Sequence, residues 1–150
     1  MHDIPGKVIG LLLALVLCCI MPFLIITTEQ EMVNRRLLTE DVSNFIDTVV
    51  DGRMVSDAEL REFNSRMASY GAIYDYEIHH YQRTVNPDPA TGNSYTVSYV
   101  EVDDWKNYEK GDKISVHIWE VSSSSTSRLA HKLTGMFIRD FDLTITARIR

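Results

Sequence analysis

One uncharged stretch near the amino terminus constrains this chain more than any other feature. Residues 8–26 read VIGLLLALVLCCIMPFLII, nineteen positions without a charged side chain. A helix of that length rises roughly 28 Å, which matches the hydrocarbon core of a bilayer, and it satisfies every backbone amide internally. We therefore predict a transmembrane helix over 8–26, with a local bend at Pro22 because proline removes one helical hydrogen bond.

A cleaved secretory signal peptide is the competing interpretation of this stretch. The apolar run is longer than a typical signal-peptide core, and no small-x-small pair follows it before Thr27. Lipid modification at Cys18 or Cys19 is disfavoured because the preceding Leu17 is bulky. The two cysteines are adjacent, so they do not form a disulfide with each other. We predict an uncleaved anchor that has the lipid bilayer as a partner.

The charges on either side of the stretch predict the orientation of the protein. Lys7 and the amino terminus lie on one side, and Glu29 and Glu31 come first on the other. The positive-inside rule then predicts a single-pass cell-membrane protein with a cytoplasmic amino terminus and an extracytoplasmic bulk. Its parts are a stub (1–7), the transmembrane helix (8–26), a helical neck (27–37) and a domain (38–150). A net charge of −6 without a long basic run excludes nucleic acid as a partner.

The helix is expected to continue beyond the membrane, because no helix breaker occurs from residue 27 to residue 50. Five apolar positions share one side of it: Leu38, Val42, Phe45, Ile46 and Val49. This stripe predicts a face that packs on a core. Glu31 and Arg35 continue the same side backwards, which predicts a solvated neck. Gly52 is expected to end the helix in the left-handed conformation.

The rest of the chain predicts a short helix and then four strands. Ser56 and Glu59 have the spacing of a capping box, and the helix after them is expected to bury Leu60, Phe63 and Met67. Alternating apolar and polar residues predict antiparallel strands from residue 72, over 95–102, over 113–121 and from residue 141.

The connections between these strands differ in composition. Residues 86–93 form a turn-rich loop, and 122–127 are expected to be a flexible, solvated linker. Leu129, Leu133 and Met136 predict one or two helical turns before the last strand. Helices followed by strands indicate an α+β fold, with the long helix lying across the sheet.

This plan resembles the type IV pilin and pseudopilin superfamily. The resemblance rests on the anchor, on the helix end at 49–52, and on the segments YDYEIHH (74–80) and GDKISV (111–116). In particular, the chain is similar to the TadE/TadF-like minor pilins of Gram-positive Tad-type (tight adherence) systems. The resemblance implies a non-enzymatic structural subunit of a pilus or secretion apparatus, which acts in adhesion or secretion at the cell surface. It implies no cofactor, and its partners would be other pilin-like subunits and the secretion platform.

The resemblance also suggests a processing site. Such proteins are cut after a glycine that ends a short leader, which here would separate Gly6 from Lys7. The family usually carries a glutamate at the fifth position after the cut, where this chain has Leu11, and the leader has no Lys or Arg. A missing carboxylate fits an accessory or tip subunit better than a shaft subunit.

Four residues of the long helix are candidate assembly contacts. Gly10 and Ala14 are small residues four apart, which allow helices to approach closely in lipid. Val33 and Leu37 are also four apart and point away from the domain's own stripe. These two are either ordinary surface residues or a contact with a helix of another subunit. The same helix would mediate homo- or hetero-oligomerisation.

No catalytic, cofactor-binding or metal-binding residue is predicted. His79 and His80 are neighbours on a strand, so they point to opposite faces and cannot both hold one metal ion. Four acidic residues (Asp103, Asp104, Glu109 and Asp112) offer oxygen ligands for calcium. Lysines are interleaved with them, which favours a solvated acidic loop, and the sequence leaves calcium binding open.

Two alternatives concern contacts outside the membrane. Trp105 and Tyr108 in the same loop form either an apolar patch for a partner or a small core within the loop. At the level of function, the alternative to a pilin-like subunit is a membrane-tethered extracellular binding domain that assembles into no appendage.

Overall fold

A single helix, α1 (Ile4–Gly52), runs without interruption from the apolar stretch into the folded domain. The computed structural model describes residues 4–87, 95–135 and 140–150. The further elements are α2 (Asp57–Ala68), β1 (Ile73–Pro87), β2 (Tyr95–Val102), β3 (Lys113–Ser122), α3 (Ser125–Thr134) and β4 (Asp142–Arg148). Three predicted features fall wholly or partly outside the described residues: the start of the stub (1–3), most of the turn-rich loop (88–93) and Met136.

The four strands form one antiparallel sheet in the order β2-β1-β3-β4. Its centre is fixed by pairs such as Ile78 opposite Val116 and Ile118 opposite Leu143. The chain is therefore of the α+β class, with a long apolar amino-terminal helix and a four-stranded antiparallel sheet. The predicted strand over 95–102 is confirmed.

The apolar stripe of α1 forms the core of the domain, as predicted. All five stripe residues, Leu38, Val42, Phe45, Ile46 and Val49, are buried. They belong to one hydrophobic cluster with Ile114, Val116 and Ile118 of β3 and with Ile149. The ring of Phe45 also stacks on Phe63 of α2 with centroids 4.6 Å apart. Burial of this stripe holds the carboxy-terminal half of α1 against the sheet.

The start of α2 has the capping box that the sequence predicts. The backbone N–H of Ser56 donates to the Glu59 carboxylate at 2.9 Å, and the N–H of Glu59 donates to Ser56 Oγ at 3.2 Å. Phe63 and Met67 are buried, and Leu60 packs at the edge of the same core. The local pattern here determined both the start and the buried face of the helix.

The prediction of a solvated neck is wrong for one side of α1. Thr27 and Glu31 are buried, with 5% and 7% of their surface exposed. Ser124 Oγ donates to the Glu31 carboxylate at 3.3 Å, and Arg35 bridges Glu31 and Glu120 at 3.3 and 3.2 Å. The buried side of α1 thus continues from Leu38 towards the amino terminus through polar contacts. These groups can leave water because each buried charge has an opposite charge or a donor beside it.

The serine-rich linker is also more ordered than predicted. Helix α3 begins at Ser125, and Ser124 is buried, with 8% of its surface exposed. The carbonyl of Ser124 accepts the N–H of Arg128 at 3.0 Å, which closes the first turn of the helix. Serine is a favoured residue at helix starts, so the segment that looked like a linker by composition begins a helix.

The end of α1 differs in one detail from the prediction. Gly52 is the last helical residue, and the left-handed backbone angle belongs to the next residue, Arg53, with φ of 55°. The N–H of Arg53 donates to the carbonyl of Val49 at 2.7 Å, which closes the helix. The closing position is therefore one residue later than predicted, at a side chain that adopts this conformation less readily than glycine.

Candidate functional site

The amino-terminal part of α1 is an apolar helical surface outside the folded domain. Side chains 6–19 are all exposed, and Leu11 and Leu15 expose 73% and 63% of their surfaces. Among the described residues, α1 is long and apolar enough to cross a membrane. Exposed apolar surface on this scale is stable only when lipid or other apolar helices cover it.

The candidate assembly and processing residues all lie on α1. Beyond its chain neighbours and the backbone of its own helix, no atom lies within 4 Å of the position that a Cβ of Gly10 would take, and Ala14 is exposed one turn later. Val33 and Leu37 expose 54% and 43% of their surfaces, on the side opposite the core. Gly6 and Lys7 are exposed within the helix; cleavage between them stays a prediction.

The two pairs do not share one face of α1. At 3.6 residues per turn, a straight helix places Val33 roughly 140° around the axis from Gly10. A single straight neighbouring helix that contacts Gly10 and Ala14 would therefore not also contact Val33 and Leu37. The helix offers two separate lateral surfaces, one within the span and one in the neck.

Within the domain, the sequence analysis missed a buried polar cluster around His80. The alternation of β1 turns His79 outward and His80 inward, where 5% of its surface is exposed. His80 Nε2 lies 2.9 Å from Asp112 Oδ2, and Nδ1 contacts the carbonyl oxygen of Asp104. Both ring nitrogens face acceptors, and both donate only when the imidazole is protonated. Both ring nitrogens of His80 are therefore placed for polar contacts inside the domain.

Asp112 is the other half of this cluster and is 2% exposed. Its Oδ1 accepts the N–H of Arg83 at 2.8 Å, and Oδ2 accepts the N–H of Glu109 at 2.9 Å. Burial acts to raise the pKa of Asp112, but the donors of Arg83, His80 and Glu109 outweigh it and lower the pKa from its ordinary value. The carboxylate therefore joins β1 to the loop before β3.

The prediction that the acidic loop is solvated is wrong for Asp112 but correct for the other three acidic residues. Asp103, Asp104 and Glu109 are exposed, whereas Asp112 faces the interior and uses both oxygens for internal hydrogen bonds. The four carboxylates thus do not converge. Throughout 4–87, 95–135 and 140–150, no group of three His, Cys, Asp or Glu side chains is arranged to hold a metal ion.

Tyr108 packs inside the domain rather than facing a partner. It is buried, with its ring centroid 4.4 Å from that of His80. Its hydroxyl has no hydrogen-bond partner within the described part of the chain, and burial raises the pKa of this phenol. Trp105 is partly buried against the same core, with Lys106 Nζ 5.5 Å from its ring centroid. Tyr108 therefore belongs to the core of the domain with Trp105 packed against it, which is neither of the two arrangements that the sequence left open.

The outer face of the sheet carries the remaining strand histidines. His79 Nδ1 lies 2.6 Å from Glu101, and His117 Nε2 lies 3.1 Å from Asp142. His117 also packs on Trp119, with ring centroids 4.9 Å apart. Each imidazole has its own carboxylate, so these contacts account for both residues as cross-strand pairs.

No family model, curated protein or solved structure matches this chain. The functional conclusion therefore depends on the chain's own surfaces.

Proposed function

We propose that this protein is a non-enzymatic, membrane-anchored pilin-like subunit of a Tad-type pilus or secretion apparatus. The observation that supports the proposal is the continuity of α1, whose apolar half is exposed and whose other half is the core helix of the domain. One helix therefore serves as anchor and as scaffold. In such a subunit the amino terminus is cytoplasmic and the domain is extracytoplasmic.

The two lateral surfaces of α1 give this subunit a means of assembly. In lipid, helices associate through close packing, and Gly10 and Ala14 form a small-residue surface within the span. Val33 and Leu37 add an apolar surface where the helix has left the membrane. Contacts at two heights along one rod would fix the angle between neighbouring subunits as well as their separation.

The assembly proposal is tested by cross-linking in cells. A photoreactive residue at position 33 should give cross-linked products with neighbouring subunits while the partner genes are expressed. Replacement of Gly10 and Ala14 by leucine, or of Leu37 by lysine, should abolish these products. The protein should still resist extraction from membranes by carbonate, since neither pair contributes to the core.

A matched control adds bulk to another side of the span. Val8→Leu with Val16→Leu enlarges two exposed residues roughly 140° from the Gly10–Ala14 surface and should leave cross-linking unchanged. If the protein whose only change is the photoreactive residue at position 33 gives only uncross-linked monomer, assembly is refuted and a tethered binding domain becomes the better description. If carbonate releases the intact protein, the anchor itself is refuted.

A further inference from the structure

A group of basic side chains meets at the end of the domain where α1 finishes. They line a cleft of about 980 Å³ between the last turns of α1 and the end of the sheet. The basic residues of the cleft are Arg83, Lys110, Arg148 and Arg150. Asp47 and Asp51 lie on the wall that α1 supplies. All six side chains are exposed, so a solute can reach them.

Gly111 allows two of the guanidinium groups to approach the same turn. Its φ is +100°, and a Cβ at this position would lie 2.9 Å from Arg83 Cδ and 3.4 Å from Arg83 Nη1. Arg148 Nη2 lies 3.7 Å from the same point. A side chain at residue 111 would therefore displace Arg83, whereas glycine leaves both arginines beside the turn.

Backbone contacts hold the segments that carry these charges. The N–H of Gly111 donates to the carbonyl of Ile149 at 3.0 Å, and the N–H of Ile149 donates to the carbonyl of Asp112 at 2.8 Å. The Asp112 carboxylate accepts the N–H of Arg83 at 2.8 Å. β1, the loop before β3 and the segment after β4 are thus joined before any ligand binds, which reduces the entropy that binding would lose.

None of the four basic side chains forms an ion pair with a described carboxylate. Every ion pair between described residues involves other cations, so no described carboxylate lies within 4.0 Å of Arg83, Lys110, Arg148 or Arg150. Neighbouring like charges repel one another unless a counter-ion is present. In a chain with a net charge of −6, this concentration of cations at one end favours an anion there.

We propose that this cleft is a binding site for a phosphate group. Guanidinium groups match the oxygens of phosphate with two parallel hydrogen bonds, and Arg83 and Arg148 would supply this fork. Lys110 and Arg150 add charge at the rim, while Asp47 and Asp51 confine the anion to the basic wall. The cleft thus selects a compact phosphate, free or as one unit of a polymer of phosphates.

The position of the cleft bears on the source of the phosphate. Between Ile26 and Gly52, α1 rises roughly 39 Å, so the headgroups of a bilayer at the predicted span are out of reach of the cleft. This statement about the source rests on the proposed anchor, whereas the binding itself does not. A soluble phosphate compound and a polymer outside the membrane are the two remaining sources.

The experiment is calorimetric titration of the full chain in a maltoside detergent, which contains no phosphate. Pyrophosphate is the small probe and long-chain polyphosphate is the polymer probe, both at constant ionic strength. Saturable binding of pyrophosphate is expected, with at least tenfold loss of affinity in Arg83→Gln with Arg148→Gln. If the polymer binds more tightly per phosphate than pyrophosphate, the polymer is the source; equal affinity indicates the small compound.

A control variant removes the same charge elsewhere. Arg36→Gln with Arg61→Gln neutralises two exposed arginines outside the cleft and should change affinity less than threefold. If the variant with Arg83→Gln and Arg148→Gln fails to fold, the same titration is made with Lys110→Gln and Arg150→Gln. An unchanged affinity for pyrophosphate in that second variant overturns the proposal. Equal losses in cleft and control variants, or no saturable binding of either probe, also overturn it. Neither result bears on assembly through α1.

Discussion

His80 Nε2 and Asp112 Oδ2 lie 2.9 Å apart, and the two side chains are 5% and 2% exposed. The same carboxylate accepts the N–H of Arg83 from β1. A charged group leaves water only when donors in the protein replace its hydration, and Asp112 has three such donors. The pair therefore joins the 103–112 loop to the sheet and positions Gly111 at the phosphate cleft.

Replacement of Asp112 tests the importance of this pair for stability. Asp112→Asn should lower the free energy of unfolding by about 3 kcal/mol, because the amide nitrogen cannot accept hydrogen bonds and leaves buried donors around residue 112 unpaired. Thermal unfolding of the full chain in detergent, followed by tryptophan fluorescence, measures the change. Asp103→Asn, at an exposed position in the same loop, should change it by less than about 0.5 kcal/mol. Similar losses in both variants would contradict a special role for the buried pair.

The acid sensitivity of the domain should also depend on Asp112. Its pKa is lowered from an ordinary value of 3.8 in the folded protein, so the unfolded chain takes up the proton first as pH falls. The stabilisation is therefore fully present above that ordinary value and is lost as pH falls through the lower folded pKa. Asp112→Asn should flatten this part of a stability–pH profile. A profile as steep as that of the unsubstituted protein would assign the acid sensitivity to other carboxylates.

The buried stripe of α1 predicts a large difference between two substitutions on the same helix. Phe45→Ala should destabilise the domain by about 3 kcal/mol, because it removes a buried ring that stacks on Phe63. Val33→Ala, at a side chain that is 54% exposed, should change the free energy of unfolding by less than about 0.5 kcal/mol. Equal effects in the same unfolding assay would show that the two faces of α1 are wrongly assigned.

Two positions with positive φ should respond in opposite directions to substitution. Arg53→Gly should stabilise the protein by about 1 kcal/mol, because glycine adopts the left-handed angle without strain. Gly71→Ala should destabilise it by a similar amount, since Gly71 has φ of 75°, which alanine adopts with strain. A new Cβ would meet no other part of the chain within 4 Å, so the cost is one of backbone conformation alone. The midpoint of thermal unfolding shows whether each substitution stabilises or destabilises the protein. A lower midpoint for Arg53→Gly would mean that the arginine side chain contributes more than its backbone strain costs.

The sequence alone determined the features that depend on local periodicity. The uncharged run over 8–26 specifies a lipid-compatible helix, and the spacing from Leu38 to Val49 specifies its buried face. Ser56 and Glu59 specify the start of α2 by contacts within one turn. In each case the interacting residues are close in sequence, so the pattern contains the geometry.

Only the tertiary structure decided which distant polar groups meet. His80 and Asp112 are 32 positions apart, and Glu31 and Ser124 are 93 apart. Strand alternation predicts that His80 points away from His79, but it does not identify the partner across the sheet. Arg83 and Arg148 likewise come from separate strands, β1 and β4, and their side chains meet beside Gly111. Periodicity fixes the face of an element, whereas the packing of elements fixes the neighbours of that face, and charges are buried or concentrated through those neighbours.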